Sequence, residues 1–585
     1  MSSNRRQRRA ELAGRKSGPS PASSKTPGGT PEEIGALLGQ AVRLHHAGEL
    51  AEAVVRYEQA LSLNPNIPEA LSNLALALKS MGKADAAITR YRQALVLKPN
   101  APEILSNLGI VLRDQGRTGE AITCYQKALA LKPDYAAARS NLGNALRDQG
   151  RYDEAIASYR QALALRPDYP DAASNLGTTI FDLHYSERHC SNSTLDAALL
   201  YARHVEPASL PKDFANAADP ERRLRIGYVS ADFRNHPVGV LLEGALAAHD
   251  PAKVEVYCYS NSRDDDDMTT RLRSAAHGWR MIAGLSDADA EVMIRRDGID
   301  ILVDLGGHTS GNRLPLFARK PAPVQATWLG YLDTSGLAAM DYFLTDRFVV
   351  PPEDEGSFTE TVLRLPDMHL CLSVAGLDVP IIARPDAGPL TLGSFNNWAK
   401  ASDGTIALWS RVLAEIPDSR LLLKARLLGD PETRRTAIER FAVHGIGADR
   451  LTLEKPAPRL ELLAAYNRID IALDPFPYNG CTTTAEALWM GVPVVTLKGK
   501  RSVARAAEGI LAVAGLPELV AQDGDAYVAA VKALAHDRKR LGELRSGLRA
   551  RVEQSPICDC PRFTQALEGL YRQMWKNWCF GRPGA

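Results

Sequence analysis

The sequence predicts an α-helical repeat solenoid followed by an α/β region of two doubly wound, Rossmann-like lobes. Three observations predict it. One pattern recurs four times in the first third, with Ser-Asn-Leu beginning at Ser72, Ser106, Ser140 and Ser174, a step of 34 residues. Short apolar runs alternating with helical stretches begin near Leu224, and a second such series begins near Leu390. Each series implies a parallel sheet covered by helices, hence two lobes.

The repeats carry further fixed positions: Gly48, Gly82, Gly116 and Gly150; Tyr57, Tyr91, Tyr125 and Tyr159; Pro65, Pro99, Pro133 and Pro167. Within 102–134, Leu105, Leu108, Ile110 and Leu112 fall at helical spacing. Gly116 suits a left-handed residue that ends this helix. A second helix is expected over 120–131, with Ala121, Ile122, Tyr125, Ala128 and Leu129 on one stripe, and Pro133 stops it. One helix pair cannot bury its own apolar face, so neighbours stack around a concave groove. Period, Gly and Pro together resemble the tetratricopeptide repeat, assigned here to 31–183. The repeated Tyr, Gly, Pro and Leu read as packing residues, and the groove as a partner-binding surface.

Composition bounds the function. The 585 residues hold 70 Lys plus Arg against 69 Asp plus Glu, which gives no electrostatic case for nucleic acid. Residues 1–30 form a basic tail rich in Ser, Pro and Gly, expected to be disordered. They lack the apolar centre of a signal peptide, and no run elsewhere approaches a membrane span. The eight cysteines are scattered without paired Cys-x-x-Cys spacing, so no metal site is expected. That usage fits a reducing, cytoplasmic location.

A linker is expected over 184–220. The first lobe, 221–385, carries expected strands at Leu224–Ser230, Val254–Ser260, 299–305, 324–330 and Tyr342–Thr345. The second lobe, 386–585, carries them at 390–395, Arg420–Lys424, Leu451–Glu454, 469–473 and Val494–Leu497, with a closing helix over 562–578. Continuous Val, Ile and Leu runs suit parallel strands buried on both faces. Ligands of such sheets bind beyond the carboxyl ends of the strands.

Three loops there carry candidate chemistry. After the first strand comes Ala231-Asp-Phe-Arg-Asn-His236-Pro-Val-Gly239, where His236 is placed to take a proton or hold a hydroxyl. On spacing alone it reads equally as a capping or core histidine. The loop Gly306-Gly-His308-Thr-Ser-Gly311 allows close approach of a ligand, or is a plain turn. In the second lobe, Asn396-Asn397-Trp398-Ala399-Lys400 puts a lysine at a strand mouth, where it suits a phosphate. The segment Asp474 to Glu486 then runs from strand to helix. Gly480 opens the turn, Thr482 and Thr483 stand in the first helical turn, and Glu486 lies where it would reach a ribose diol. A helix start of this kind binds anions, and Lys400 beside it suggests a diphosphate. Neither G-x-x-x-x-G-K-[ST] nor G-x-G-x-x-G is present to redirect that reading.

The repeats, followed by RLRIGYVSADFRNHP, PAPVQATWLGYLDTSG, LGSFNNWAK and LDPFPYNGCTTTAEALWMGVPVVTL, resemble the O-GlcNAc transferase and SPINDLY family of protein O-glycosyltransferases. The resemblance covers nearly the whole chain. It implies a GT-B fold and inverting transfer, without metal or other cofactor, from a nucleotide sugar to Ser or Thr of proteins. It implies that Lys400 stabilises the leaving diphosphate and Asn397 lies beside the phosphates. Thr482 and Thr483 would sit at the pyrophosphate, Glu486 at the ribose, Ala457 and Arg459 at the base, and His236 as general base. His308 and Cys481 are less certain members.

The departures concern the donor. O-GlcNAc transferases have His where this chain has Cys481, and His and Arg where it has Leu462 and Ala465, which weakens the case for UDP-GlcNAc. FNNWAK, the three threonines and Glu486 are similar to SPINDLY, which uses GDP-fucose. Both donors remain candidates. Expected partners are acceptor proteins bound by the repeats and the nucleotide sugar, with neither nucleic acid nor membrane; a homodimer through the repeats is a further expectation. Two other readings stand beside this one: an inactive repeat scaffold, and a GT-B transferase acting on a lipid or glycan.

Overall fold

The computed structural model describes residues 29–385 and 387–581. The basic tail expected over 1–30 lies outside the described residues apart from Gly29 and Thr30. The chain divides into two compact units, one up to Ala145 and one from Leu146.

The first unit is a series of antiparallel helix pairs: Pro31–His46 with Leu50–Leu63, Pro68–Ser80 with Ala84–Leu97, and Pro102–Asp114 with Thr118–Leu131. Ala136–Asp148 follows across the division. Pro68 and Pro102 start their helices, where the missing N–H costs no intrahelical bond. Each first helix ends at a glycine in the left-handed region, Gly48 at φ +81°, Gly82 at +74° and Gly116 at +72°. The Thr118–Leu131 helix begins two residues before its expected start. Tyr57, Tyr91 and Tyr125 are buried between the helices. Gly109 is glycine for a packing reason: a β-carbon there would fall 2.6 Å from the Tyr125 ring.

The second unit opens with two more helices of the repeat pattern, Tyr152–Leu165 and Pro170–Asp182. The stretch 184–220, expected as a linker, contains a helix, Ser191–Val205. It is also clamped to the rest of the unit. Arg501 donates to the carbonyls of Leu183, His184 and Ser186 at 3.0, 3.2 and 2.8 Å.

Two all-parallel sheets follow. The first comprises β1 (Leu224–Ser230), β2 (Val254–Ser260), β3 (Gly278–Met281), β4 (Ile301–Asp304), β5 (Val324–Trp328), β6 (Tyr342–Thr345) and β7 (Thr361–Arg364), in the order β3-β2-β1-β4-β5-β6-β7. The second comprises β8 (Thr391–Ser394), β9 (Arg420–Lys424), β10 (Leu451–Glu454), β11 (Ile471–Leu473), β12 (Val494–Leu497) and β13 (Val520–Ala521), in the order β10-β9-β8-β11-β12-β13. Register is continuous, for example Leu224 opposite Val254 and Ile226 opposite Ile301. Parallel pairing requires a crossover between strands, and the helices that supply it bury both faces; β4 and β5 are accordingly buried throughout.

The strand order reverses between β1 and β4 in the first sheet and between β8 and β11 in the second. At these points neighbouring loops diverge and leave a crevice. The last helix, Cys560–Phe580, returns to the first lobe: Tyr571 and Tyr228 share a hydroxyl hydrogen bond at 2.9 Å, and Trp575 donates to Asp219 O at 2.9 Å. Among the described residues no helix is long and apolar enough to cross a membrane.

Candidate active site

The expected site residues separate into three groups. The largest gathers at the second sheet's reversal point, where β8 and β11 end. Beyond β11 the chain turns at the buried Asp474, whose Oδ1 accepts from Gly480 N and whose Oδ2 accepts from Thr496 Oγ1, both at 2.7 Å. Burial raises the Asp474 carboxyl to about 6, while Thr496, Gly480, Lys400 and Asn396 pull it down. Gly480 has no room for a side chain, since a β-carbon would lie 2.6 Å from Thr483 Oγ1 and 2.7 Å from Asp474 Oδ1.

This pinned turn delivers Thr482 to the start of the helix Thr482–Trp489. Cys481 occupies the N-cap and makes no side-chain cap bond. An uncapped helix start presents N–H groups and the positive end of its dipole, a ready anion site. The hydroxyls of Thr482 and Thr484 are buried without a hydrogen-bond partner among the described residues. Thr483 Oγ1 donates to Asn396 Oδ1 at 3.0 Å.

Lys400 ends a 3-10 turn, Trp398–Lys400, that follows β8. Its Nζ donates to Asn479 O at 2.7 Å and lies 4.1 Å from the Tyr478 ring centre. Burial lowers its pKa to about 8, against Asp474 and Cys481, which favour the ammonium form. Lysine charge and helix start therefore stand together. Asn397 is exposed and caps the 3-10 turn, accepting from Ala399 N at 3.2 Å. Glu486, one turn into the helix, is buried with its Oε1 3.3 Å from Arg459 Nη2. Burial raises the Glu486 carboxyl and Arg459 lowers it. Ala457 is part-buried in the loop before the helix Arg459–Ala465. Ala465 belongs to the hydrophobic core, and the part-buried Leu462 packs against it.

The second group surrounds His236 at the end of β1. It is the N-cap of Pro237–Ala247, with Nδ1 accepting from Val238 N at 3.4 Å and lying 3.6 Å from Asp232 Oδ2. Burial lowers its pKa, Asp232 opposes that and Arg234 adds to it. A ring nitrogen that accepts carries no proton, so the tautomer that keeps the Val238 bond has its N–H at Nε2. The third position, His308, is fully buried. Its Nε2 faces Ser335 O at 3.0 Å and its ring meets Tyr201 and Tyr331 edge-on, with centroids 5.0 and 5.5 Å apart. Burial lowers its pKa to about 4. Over this region lies a cavity of about 470 Å³ between Asp168, Ser174 and Thr178 on one side and Thr309 and Asn312 on the other.

Asn396, Asp474, Tyr478 and Asn479 belong to the first group although sequence reasoning assigned them no role. Their signal was position: all lie in the two loops already singled out. His369 of the first lobe, beside Cys481, had no such signal. Among the described residues no three His, Cys, Asp or Glu side chains are grouped to hold a metal ion.

Comparison with known proteins agrees with this architecture. Tetratricopeptide repeat models match 66–134 and 100–168. A protein from Petunia hybrida named "Probable UDP-N-acetylglucosamine--peptide N-acetylglucosaminyltransferase SPINDLY" is 40% identical over 376 residues, covering 63% of this chain and 40% of that protein. The Arabidopsis thaliana protein named likewise with the suffix SEC is 30% identical over 391 residues, covering 65% and 39%. The chain thus spans about two fifths of the length of these relatives. A solved structure of a Thermobaculum terrenum O-GlcNAc transferase mutant superposes with a TM-score of 0.71 at 39% identity, covering 88% of this chain and 98% of that one. The glycosyl transferase family 41 model matches 184–371 and 385–567, which includes both reversal-point loops. The chain, a tetratricopeptide solenoid followed by a GT-B fold, belongs to glycosyl transferase family 41.

Proposed function

We propose that this chain is an inverting, metal-independent protein O-glycosyltransferase that moves a sugar from a nucleoside diphosphate to Ser or Thr hydroxyls. The observation that carries the reading is Lys400 beside the uncapped start of Thr482–Trp489, with unpartnered threonine hydroxyls around it. Departure of a nucleoside diphosphate leaves negative charge on the β-phosphate. A fixed ammonium and helix-start amides oppose that charge without reorganising at the moment of reaction.

In this reading Lys400 holds the leaving oxygens, and Thr482 and Thr483 hold the diphosphate. Glu486 accepts from the ribose hydroxyls, Arg459 orients Glu486, and Ala457 borders the base. Asn397, which caps the 3-10 turn bearing Lys400, is assigned to the phosphates. His236 takes the acceptor proton. For that its ring adopts the other tautomer, with Nδ1–H toward Asp232 and Nε2 free. The repeats recruit protein acceptors, and the cavity beside Ser174 and Thr178 offers a polypeptide a route past the last repeat. The relatives' names favour UDP-GlcNAc as donor. The apolar Leu462 and Ala465 offer a base no polar partner, which keeps GDP-fucose equally in play.

The test is transfer of label from UDP-GlcNAc or GDP-fucose to protein by the wild type and by Lys400→Ala. Label on Ser or Thr that alkali releases by β-elimination, lost in the variant, supports the reading. Label found only on lipid or glycan sends the acceptor to another class, and no transfer from either donor favours an inactive scaffold.

A further inference from the structure

One ionisable side chain of the first lobe reaches the anion turn of the second. His369 follows β7 and is 1% exposed. Its Nδ1 lies 2.5 Å from Asp346 Oδ2. Asp346 is itself buried and accepts main-chain N–H groups from Phe348, Val349 and His369, each at 2.8 Å. Burial works against the Asp346 carboxylate, but His369 and these amides hold it below the ordinary range. The proton between the pair therefore rests on Nδ1. Burial likewise works against a charged His369, yet Asp346 and then Cys481 bring it up to about 10. Asp346 at Nδ1 thus favours the imidazolium form of the ring, which carries a second N–H at Nε2.

That Nε2 is buried and has no hydrogen-bond partner among the described residues. It faces the Cys481 thiol, which favours the charged ring while lying outside regular hydrogen-bond geometry. Cys481 is the N-cap of Thr482–Trp489 and also acts on Lys400. A buried, unpaired cationic donor is costly, because its lost hydration is not replaced. Three unpartnered polar atoms, Nε2 of His369 and the hydroxyls of Thr482 and Thr484, thus flank one turn.

We propose that His369 is a second fixed cation of the donor site, supplied across the lobe junction, with its Nε2–H directed at the diphosphate. The inference rests on the proposed function, since it requires a nucleoside diphosphate at the 480–486 turn. Lys400 then meets the phosphates from the second lobe and His369 from the first. The Asp346–His369 pair also ties donor binding to the seating of one lobe on the other.

The experiment measures binding of UDP, GDP and the parent nucleosides by calorimetry to wild type, His369→Phe and Asp346→Asn. The preferred diphosphate is compared with its own nucleoside, which shares base and ribose but offers no phosphate. His369→Phe is expected to lower diphosphate affinity about 10-fold or more, the loss of one charge-assisted bond, with nucleoside affinity unchanged. Asp346→Asn, which keeps the ring and removes its counter-ion, is expected to shift the same ratio in the same direction. A diphosphate-to-nucleoside ratio unchanged in the folded variants overturns the assignment. Should neither variant fold, histidine-labelled wild type carries the test: UDP or GDP moves the His369 Nε2–H resonance and nucleoside does not, and an unmoved resonance overturns it. A wild type that gains nothing from the diphosphate refutes the function itself, so the two failures are distinguishable.

Discussion

Lys400 is the residue on which the chemistry turns. Replacing it with Ala is expected to lower the transfer rate by at least about 10²-fold, the scale of one lost transition-state donor. The melting temperature should hold, because Lys400 contributes one hydrogen bond to the fold. Near-normal turnover would remove it from the leaving-group role. Its pKa of about 8 gives a pH signature. The ammonium is lost as pH rises through that value, so diphosphate affinity of the free protein should fall above about pH 8 in the wild type. Lys400→Arg, which stays charged, should bind with a flat profile over the same range. The stability linkage has the opposite sense. Between about 8 and the ordinary lysine value the unfolded chain binds the extra proton, so the ligand-free fold gains stability as pH rises through that window. At this scale the site was partly legible. Lys400, Thr482, Thr483 and Glu486 lie in motifs whose spacing marks a strand mouth and a helix start. Asn396 rather than Asn397 reaches Thr483, because Asn397 caps the 3-10 turn that follows, a division that no periodicity encodes. His369 comes from a distant segment of the other lobe, so only the fold brings it to Cys481.

The repeat helices show how a recurring pattern becomes packing. Tyr91 and Tyr125 fill the space between helices, and Gly109 exists to admit the Tyr125 ring. Tyr91→Ala is expected to destabilise the first unit by about 3 kcal/mol through lost burial and a cavity. Chemical denaturation of the intact protein checks this, and a loss within a few tenths of a kcal/mol would deny the residue its packing role. The Ser-Asn-Leu period made these helices readable, because each repeat presents the same residues to the same neighbours. Ten of the thirteen strands among the described residues were readable for a related reason: buried parallel strands are continuous apolar runs. The three others are β3, β7 and β13, at the sheet edges. Gly278-Trp-Arg-Met and Thr361-Val-Leu-Arg are short and half polar, and Val520–Ala521 is only a pair, so an edge strand with one covered side leaves little pattern.

The second unit is held together by segments of the second lobe that pack on the first lobe and on the end of the repeats. Cys560–Phe580 returns from the second lobe to β1 and its neighbours, and Arg501 binds three carbonyls at the end of the last repeat. Arg501→Ala should cost about 3 kcal/mol, since it removes three hydrogen bonds from a buried guanidinium to the carbonyls of Leu183, His184 and Ser186, and thermal unfolding should register it. The expected linker over 184–220 hid this role, because contacts to carbonyls depend on backbone position and leave no residue pattern. For the molecule as a whole the central claim is that the reversal point of the second sheet binds a nucleoside diphosphate. Thermal unfolding with UDP and with GDP at matched concentration tests it most directly, because a ligand of the folded state raises the melting temperature by mass action. The account predicts a clear rise with one of the two, abolished in Lys400→Ala, and the effective nucleotide identifies the donor. No rise with either would contradict it.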